Sequence, residues 1–173
     1  LAAPQAVLAQ EEKPFAEHKF VLQISDMDPS KQTLVLNVAN NILKAYGTDQ
    51  VDIEIVAFGP GLRLLFEDNS NTGRIDGLAN SGVRFFACQN TINNMSNILG
   101  TPVKVNSHAS SGKGGIVRIK ELVDQGYMLA KPEEASVINA IAQSKGDTRE
   151  TIKTLQASAG RHSVSRAAVV GQC

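Results

Sequence analysis

The stretch VDIEIVAFGPG, residues 51–61, decides the fold. Val51 to Phe58 reads as a β-strand, and Gly59-Pro60-Gly61 closes it. The same beat runs outward in both directions. Upstream, Lys19 to Ser25 (KFVLQIS) reads as a strand. Asp28-Pro29 then opens a helix, with Asp28 as N-cap and Pro29 at the first helical position, where its missing N–H costs nothing. That helix carries Val35, Val38, Ala39, Ile42 and Tyr46 at helical spacing and ends at Gly47.

Downstream, a short helical piece from Leu62 to Glu67 leads into the polar loop DNSNTG. A helix with Ile75, Leu78 and Ala79 on one side follows and ends at Gly82. Val83 to Ala87 reads as the third strand, with Cys88 at its end. Thr91 to Leu99 is predicted helical and is stopped by Gly100. Val103 to Asn106 is the expected fourth strand, and SHASSGKGG the loop after it. A helix from Ile116 to Gln125 closes at Gly126, and Tyr127 to Lys131 makes the fifth strand before Pro132.

Five strands alternating with helices are the mark of right-handed βαβ units. The predicted fold is therefore α/β, a five-stranded parallel sheet with helices on both faces. Residues 18–132 form this domain, 1–17 precede it, and 133–173 add a helical extension and tail. The extension carries Val137, Ile138, Ile141, Ile152 and Leu155.

Composition narrows the function. Of 173 residues, 42% are hydrophobic and 20% charged, which supplies a core and excludes global disorder. The 17 basic and 17 acidic residues cancel, so nothing electrostatic draws the chain to nucleic acid. No apolar run approaches the roughly 18 residues of a membrane span. Two cysteines are too few for a disulfide scaffold or a zinc ribbon. At the start, Val7-Leu8-Ala9 before Gln10 fits a signal-peptidase pattern and points to export into the periplasm; a truncated Ala-rich start is the alternative.

Ligands of open parallel sheets bind beyond the carboxyl ends of the strands. Those ends are Ser25 and Asp26, Gly59 to Gly61, Cys88 with Gln89 and Asn90, and Ser107 with His108. Only Cys88 is an intrinsically strong nucleophile. Free N–H groups and the positive end of a helix dipole favour its thiolate there. The competing view is a small apolar residue packed under a loop.

Four stretches carry a family resemblance: HKFVLQISDMDPSK, VDIEIVAFGPGLRLL, GVRFFACQNTINNM and GGIVRIKELVDQGYMLAKP. Together they resemble the DsrE/DsrF-like sulfur-relay family over about residues 18 to 132. The most specific segment is GVRFFACQNT, a cysteine after the third strand followed by Asn-Thr. The resemblance implies a flavodoxin-like α/β sandwich assembled as a homotrimer or hexamer. It also implies that Cys88 carries sulfane sulfur as a persulfide between donor and acceptor proteins, without a cofactor.

Around that cysteine, N–H groups near Gln89 to Thr91 would stabilise a sulfur anion. The Asn90 and Thr91 side chains either assist or cap the helix, and capping is the ordinary role. His108 is a candidate base or a solvated loop residue. Asp26 and Asp28 make a weak metal pair, since Asp28 is explained as a cap. Arg118 and Glu121, one helical turn apart, suit a surface ion pair or an intersubunit contact. The SGKGG loop, residues 111–115, fails both phosphate-binding templates, because Ser107, Gly114 and Val117 stand where each needs another residue. Asn94-Met95-Ser96 is a sequon inside a predicted helix and is discounted. Cys173 is either a resolving thiol for Cys88 or a frayed terminus. The alternative to sulfur carriage is an oligomeric scaffold that docks on a larger partner through residues 133–173.

Overall fold

The computed structural model describes residues 12–132. The leader pattern at Val7 to Ala9, the helices expected over 133–156 and the tail with Cys173 lie outside the described residues.

His18–Ile24 (β1) and Val51–Ala57 (β2) pair in parallel, with Phe20 opposite Ile53 and Leu22 opposite Ile55. Every residue of β2 is buried, as a central strand covered on both faces requires. Between them runs α1, Pro29–Tyr46. The Asp28 carboxylate accepts the Ser30 N–H at 2.8 Å, and Gly47 closes the helix on the Leu43 carbonyl. Both ends fall where the sequence places them.

After β2, Gly59–Leu65 forms a 3-10 segment, earlier in the chain than the helical piece expected from Leu62. Helix α2, Thr72–Asn80, and strand β3, Arg84–Cys88, follow. Helix α3, Gln89–Leu99, starts directly from β3 with no loop between them. Strand β4 is Ala109–Gly112, α4 is Gly115–Asp124, and β5 is Met128–Ala130.

The sheet order is β4-β3-β2-β1-β5, and every pairing is parallel. From β1 to β4 the chain steps one way across the sheet. The return from β4 to β5 runs the other way, so the right-handed rule puts its helix on the opposite face. Helix α1 packs on β1 and β2 and touches α2, whereas α4 crosses β1, β2, β3 and β5. The result is a flavodoxin-like α/β sandwich with helices on both faces.

Alternation along the strands gives the faces different characters. On the α1 side, Leu22, Ile24, Ile53, Ile55 and Phe85 are almost fully buried. On the α4 side, Val21, Val56 and Phe86 cluster with Ile119, Leu122 and Tyr127. The same side also carries Asp52, Glu54 and Arg84, all buried. Full burial of one Leu or Ile contributes about 1.5–3 kcal/mol, while a buried ion pair roughly breaks even against apolar residues of its size. By this measure the apolar clusters on both faces contribute most of the stability, and the charges add little to it.

One strand stands elsewhere than expected. Val103 to Asn106 does not join the sheet. Val105 makes an isolated antiparallel bridge to Phe66, and Asn106 N–H bonds to the Leu65 carbonyl at 2.8 Å. The edge is instead Ala-Ser-Ser-Gly from the segment read as a loop, with Ser110 Oγ donating to the Phe85 carbonyl at 3.1 Å. An edge strand has one neighbour and an exposed side, so polar residues serve there. Val105 is drawn off by Phe66, which follows the 3-10 segment, while the Val103 N–H donates to Ser96 Oγ at 2.9 Å.

Candidate functional site

Cys88 ends β3 and is at the same time the N-cap residue of α3, with φ −63° and ψ 116°. It alternates with Phe86 and so lies on the α4 face, opposite Gly112 of β4. The residue is 5% exposed. Burial pushes the thiol up, but the Thr91 hydroxyl and the backbone N–H groups of Thr91, Gly115 and Asn90 outweigh it. The thiol is held below its ordinary range. Thr91 and Asn90 lie in the first turn of α3, and Gly115 is the first residue of α4. The starts of α3 and α4 thus both lie at this end of β3 and β4, where helix dipoles favour an anion.

Gly115 makes this approach possible. A Cβ at that position would lie 2.9 Å from Phe58 Cβ, closer than packed carbons come, so any side chain would push α4 outward. Thr91 Oγ1 in turn accepts the Gly59 N–H at 3.0 Å, which ties the start of the 3-10 segment to α3. Gly59 has φ +53°, a left-handed conformation that glycine adopts without strain.

The neighbours expected to assist Cys88 separate into two groups. Asn90 and Thr91 are at the sulfur, though neither caps the helix, because the cap position belongs to Cys88 itself. Gln89 is turned along α3, its Nε2 donating to Asn93 Oδ1 at 2.9 Å.

His108 does not join the site. It precedes β4, four positions from the Gly112 that faces Cys88, or roughly 13 Å along a strand. Its Nε2 lies 3.4 Å from Asp76 Oδ1. The misplaced fourth strand is the cause: His108 follows the predicted strand but leads into the real one.

Asp26 and Asp28 are likewise explained locally. The Lys31 ammonium, 2.5 Å from Asp26, holds that carboxyl below its usual range, and the Ser30 hydroxyl and N–H do so for Asp28. No cluster of metal ligands occurs among the described residues, and none of their helices is long and apolar enough to cross a membrane.

A buried polar network lies on the α4 side of the sheet. Arg84 Nη2 lies 3.1 Å from Asp52 Oδ2, and Arg84 also pairs with Glu54. Tyr127 Oη donates to Asp52 at 2.6 Å. Arg118 pairs with Glu54 and reaches Glu12 at 3.1 Å, so its partner is not chiefly Glu121, which stands 3.9 Å away. Glu54 faces Arg84 across the β2–β3 pairing. Opposite charges at matched positions of neighbouring strands were the available signal.

The architecture defines a flavodoxin-like α/β protein in which Cys88 lies at the carboxyl edge of the sheet. No family model and no curated protein matches the chain. Among solved structures it is similar to a protein of unknown function, MTH1491 from Methanobacterium thermoautotrophicum. The two share 25% identity with a TM-score of 0.59, over 66% of this chain and 99% of that one.

Proposed function

We propose that this protein is a sulfur-relay carrier that holds sulfane sulfur as a persulfide on Cys88. One observation supports the reading most: although burial pushes the thiol up, donors at two helix starts hold it below its ordinary range. Such a site suits a sulfur anion, either the thiolate or the terminal sulfur of a persulfide.

In the loading step, the Cys88 thiolate attacks the terminal sulfur of a donor persulfide or polysulfide. A new S–S bond forms on Cys88 and the donor's S–S bond breaks; a persulfide donor leaves as a thiolate, and a polysulfide leaves as an anion one sulfur shorter. In the unloading step, an acceptor thiolate attacks that terminal sulfur, and Cys88 leaves as the thiolate. The two steps need no outside oxidant. With the residue 5% exposed, a slender chain such as inorganic polysulfide suits the approach better than a bulky one.

The reading includes export to the periplasm and assembly as a homotrimer or hexamer. Exposed Ile116, Val117 and Val123 on α4 offer apolar surface for such contacts, and native mass measurement tests the subunit number. Cyanide removes sulfane sulfur as thiocyanate, which gives the functional test. After polysulfide treatment and desalting, the protein should release thiocyanate, and Cys88→Ser should release none. Equal release from both would end the proposal.

A further inference from the structure

The carrier reading requires a way in for the sulfur donor, because Cys88 is only 5% exposed. The sheet register shows what flanks it. Parallel pairing sets Cys88 of β3 directly opposite Gly112 of β4, and Ala87 opposite Ala57 of β2. Phe58 follows Ala57 and keeps to the ladder, its N–H donating to the Ile24 carbonyl at 3.2 Å. Neighbouring strands run about 5 Å apart. Gly112, Cys88 and Phe58 therefore make one row across the α4 face, at the carboxyl edge of the sheet.

The two ends of this row differ. On the β2 side, Phe58 packs against the cluster that holds Val56, Phe86 and Ile119, and Gly115 of α4 lies hard against its Cβ. On the β4 side the row ends in Gly112, exposed on the last strand of the sheet. Neither backbone nor packing asks for glycine there. Gly112 is not among the glycines with positive φ, and it pairs in regular register with Cys88. A Cβ on it would meet only Phe86 Cε2 and Cζ, at an ordinary 3.7 Å. Gly115 is the contrast, since a Cβ there has no room. Glycine weakens a strand, and one without a conformational reason marks a place where another group comes close.

We propose that Gly112 determines access to Cys88: its missing side chain leaves, on the edge-strand side of the sulfur, the slot by which a linear sulfur donor reaches the thiol. The chemistry of the donor rests on the carrier reading, whereas the slot rests on the register alone. A slot one residue wide, between an edge strand and the start of α4, takes an unbranched chain of sulfur atoms and turns away a bulky thiol compound.

The test is the rate of iodoacetamide alkylation at Cys88 and its pH profile, read by peptide mass spectrometry on the full chain so that Cys173 is counted separately. Valine suits a strand, so Gly112→Val should fold, and Gly112→Ala serves if circular dichroism shows otherwise. Above the midpoint of the profile, alkylation of Gly112→Val should slow by about tenfold, the rate equivalent of a modest overpacking penalty in the transition state. The midpoint itself should stay at the wild-type value, because the added methyl groups narrow the approach and leave the thiol's surroundings in place. Ser111, opposite Ala87, lies on the other face of the same strand, so Ser111→Val should alkylate at the wild-type rate. An undiminished rate in a folded Gly112 variant overturns the assignment, as does a shifted midpoint or an equal slowing by Ser111→Val. Polysulfide loading separates the two proposals. Slowed alkylation in Gly112→Val with no sulfur uptake by wild type retires the carrier role and leaves the slot. Uptake by wild type with alkylation unslowed in the variant does the reverse.

Discussion

Arg118 grips Glu54 with two parallel bonds, Nε to Oε1 and Nη2 to Oε2, both 2.7 Å long. Because Arg118 is one turn into α4, this fork fixes the helix that starts beside the Cys88 end of β3. Arg118→Met leaves Glu54, 2% exposed, with Arg84 as its remaining cationic partner. The loss should be about 3 kcal/mol, the lower end for a broken buried pair. Urea unfolding measures it; a loss no greater than that of an exposed pair would show that α4 is held by its apolar side alone.

Tyr127 gives the network a pH signature. Burial first, then its bond to Asp52, pushes the phenol well above the usual tyrosine range. The folded chain therefore keeps the proton that the unfolded chain releases above about pH 10. The folded state binds more protons in that window, so stability falls as pH rises through it. In Tyr127→Phe that part of the alkaline loss should vanish, while stability at neutral pH drops by about 1–3 kcal/mol because a hydrogen bond to Asp52 is lost. Parallel alkaline slopes for the two proteins would argue against the assignment.

Gly115→Ala places a methyl group 2.9 Å from Phe58 Cβ, on the rigid part of that side chain. Alanine has the better helix propensity, but the advantage is at most about 1 kcal/mol, against about 1–3 kcal/mol for overpacking. The variant should be less stable, and the retreat of the Gly115 N–H should raise the alkylation midpoint of Cys88. A stabilised variant with an unchanged midpoint would mean that α4 does not touch the thiol's chemistry.

The main influences on Cys88 are burial and hydrogen-bond donors, not a neighbouring cation. Salt screens exposed charges over about 10 Å at 0.1 M but hardly affects donors in direct contact. The alkylation midpoint should therefore stay constant between low and high salt. A midpoint that climbs with salt would point to an ionic partner instead.

Much of the fold was legible because strand runs and helix punctuation coincide. Asp28, Pro29 and Gly47 bound α1 as read, and Val51 onward gave the central strand. The edge strand was not legible, since Ala109 to Gly112 has neither apolar periodicity nor β-branched residues, and exposure on an edge asks for neither. That single displacement carried His108 to the wrong end of the sheet. Cys88 stands between strand and helix, where the sequence places it. Gly59 and Gly115 as partners of its surroundings were not legible, because their approach depends on tertiary packing that no local pattern announces. The Asp52, Glu54 and Arg84 network was hidden for a related reason: polar residues in a strand look solvent-facing until the covering helix proves to carry Arg118.

The most direct measurement is peptide-resolved mass spectrometry of the intact chain after brief exposure to polysulfide, before and after an acceptor thiol is added. The account predicts one added sulfur on the peptide containing Cys88, removed by the acceptor and absent in Cys88→Ser. A Cys88 peptide that never gains that sulfur, in a folded protein under the same treatment, would contradict it.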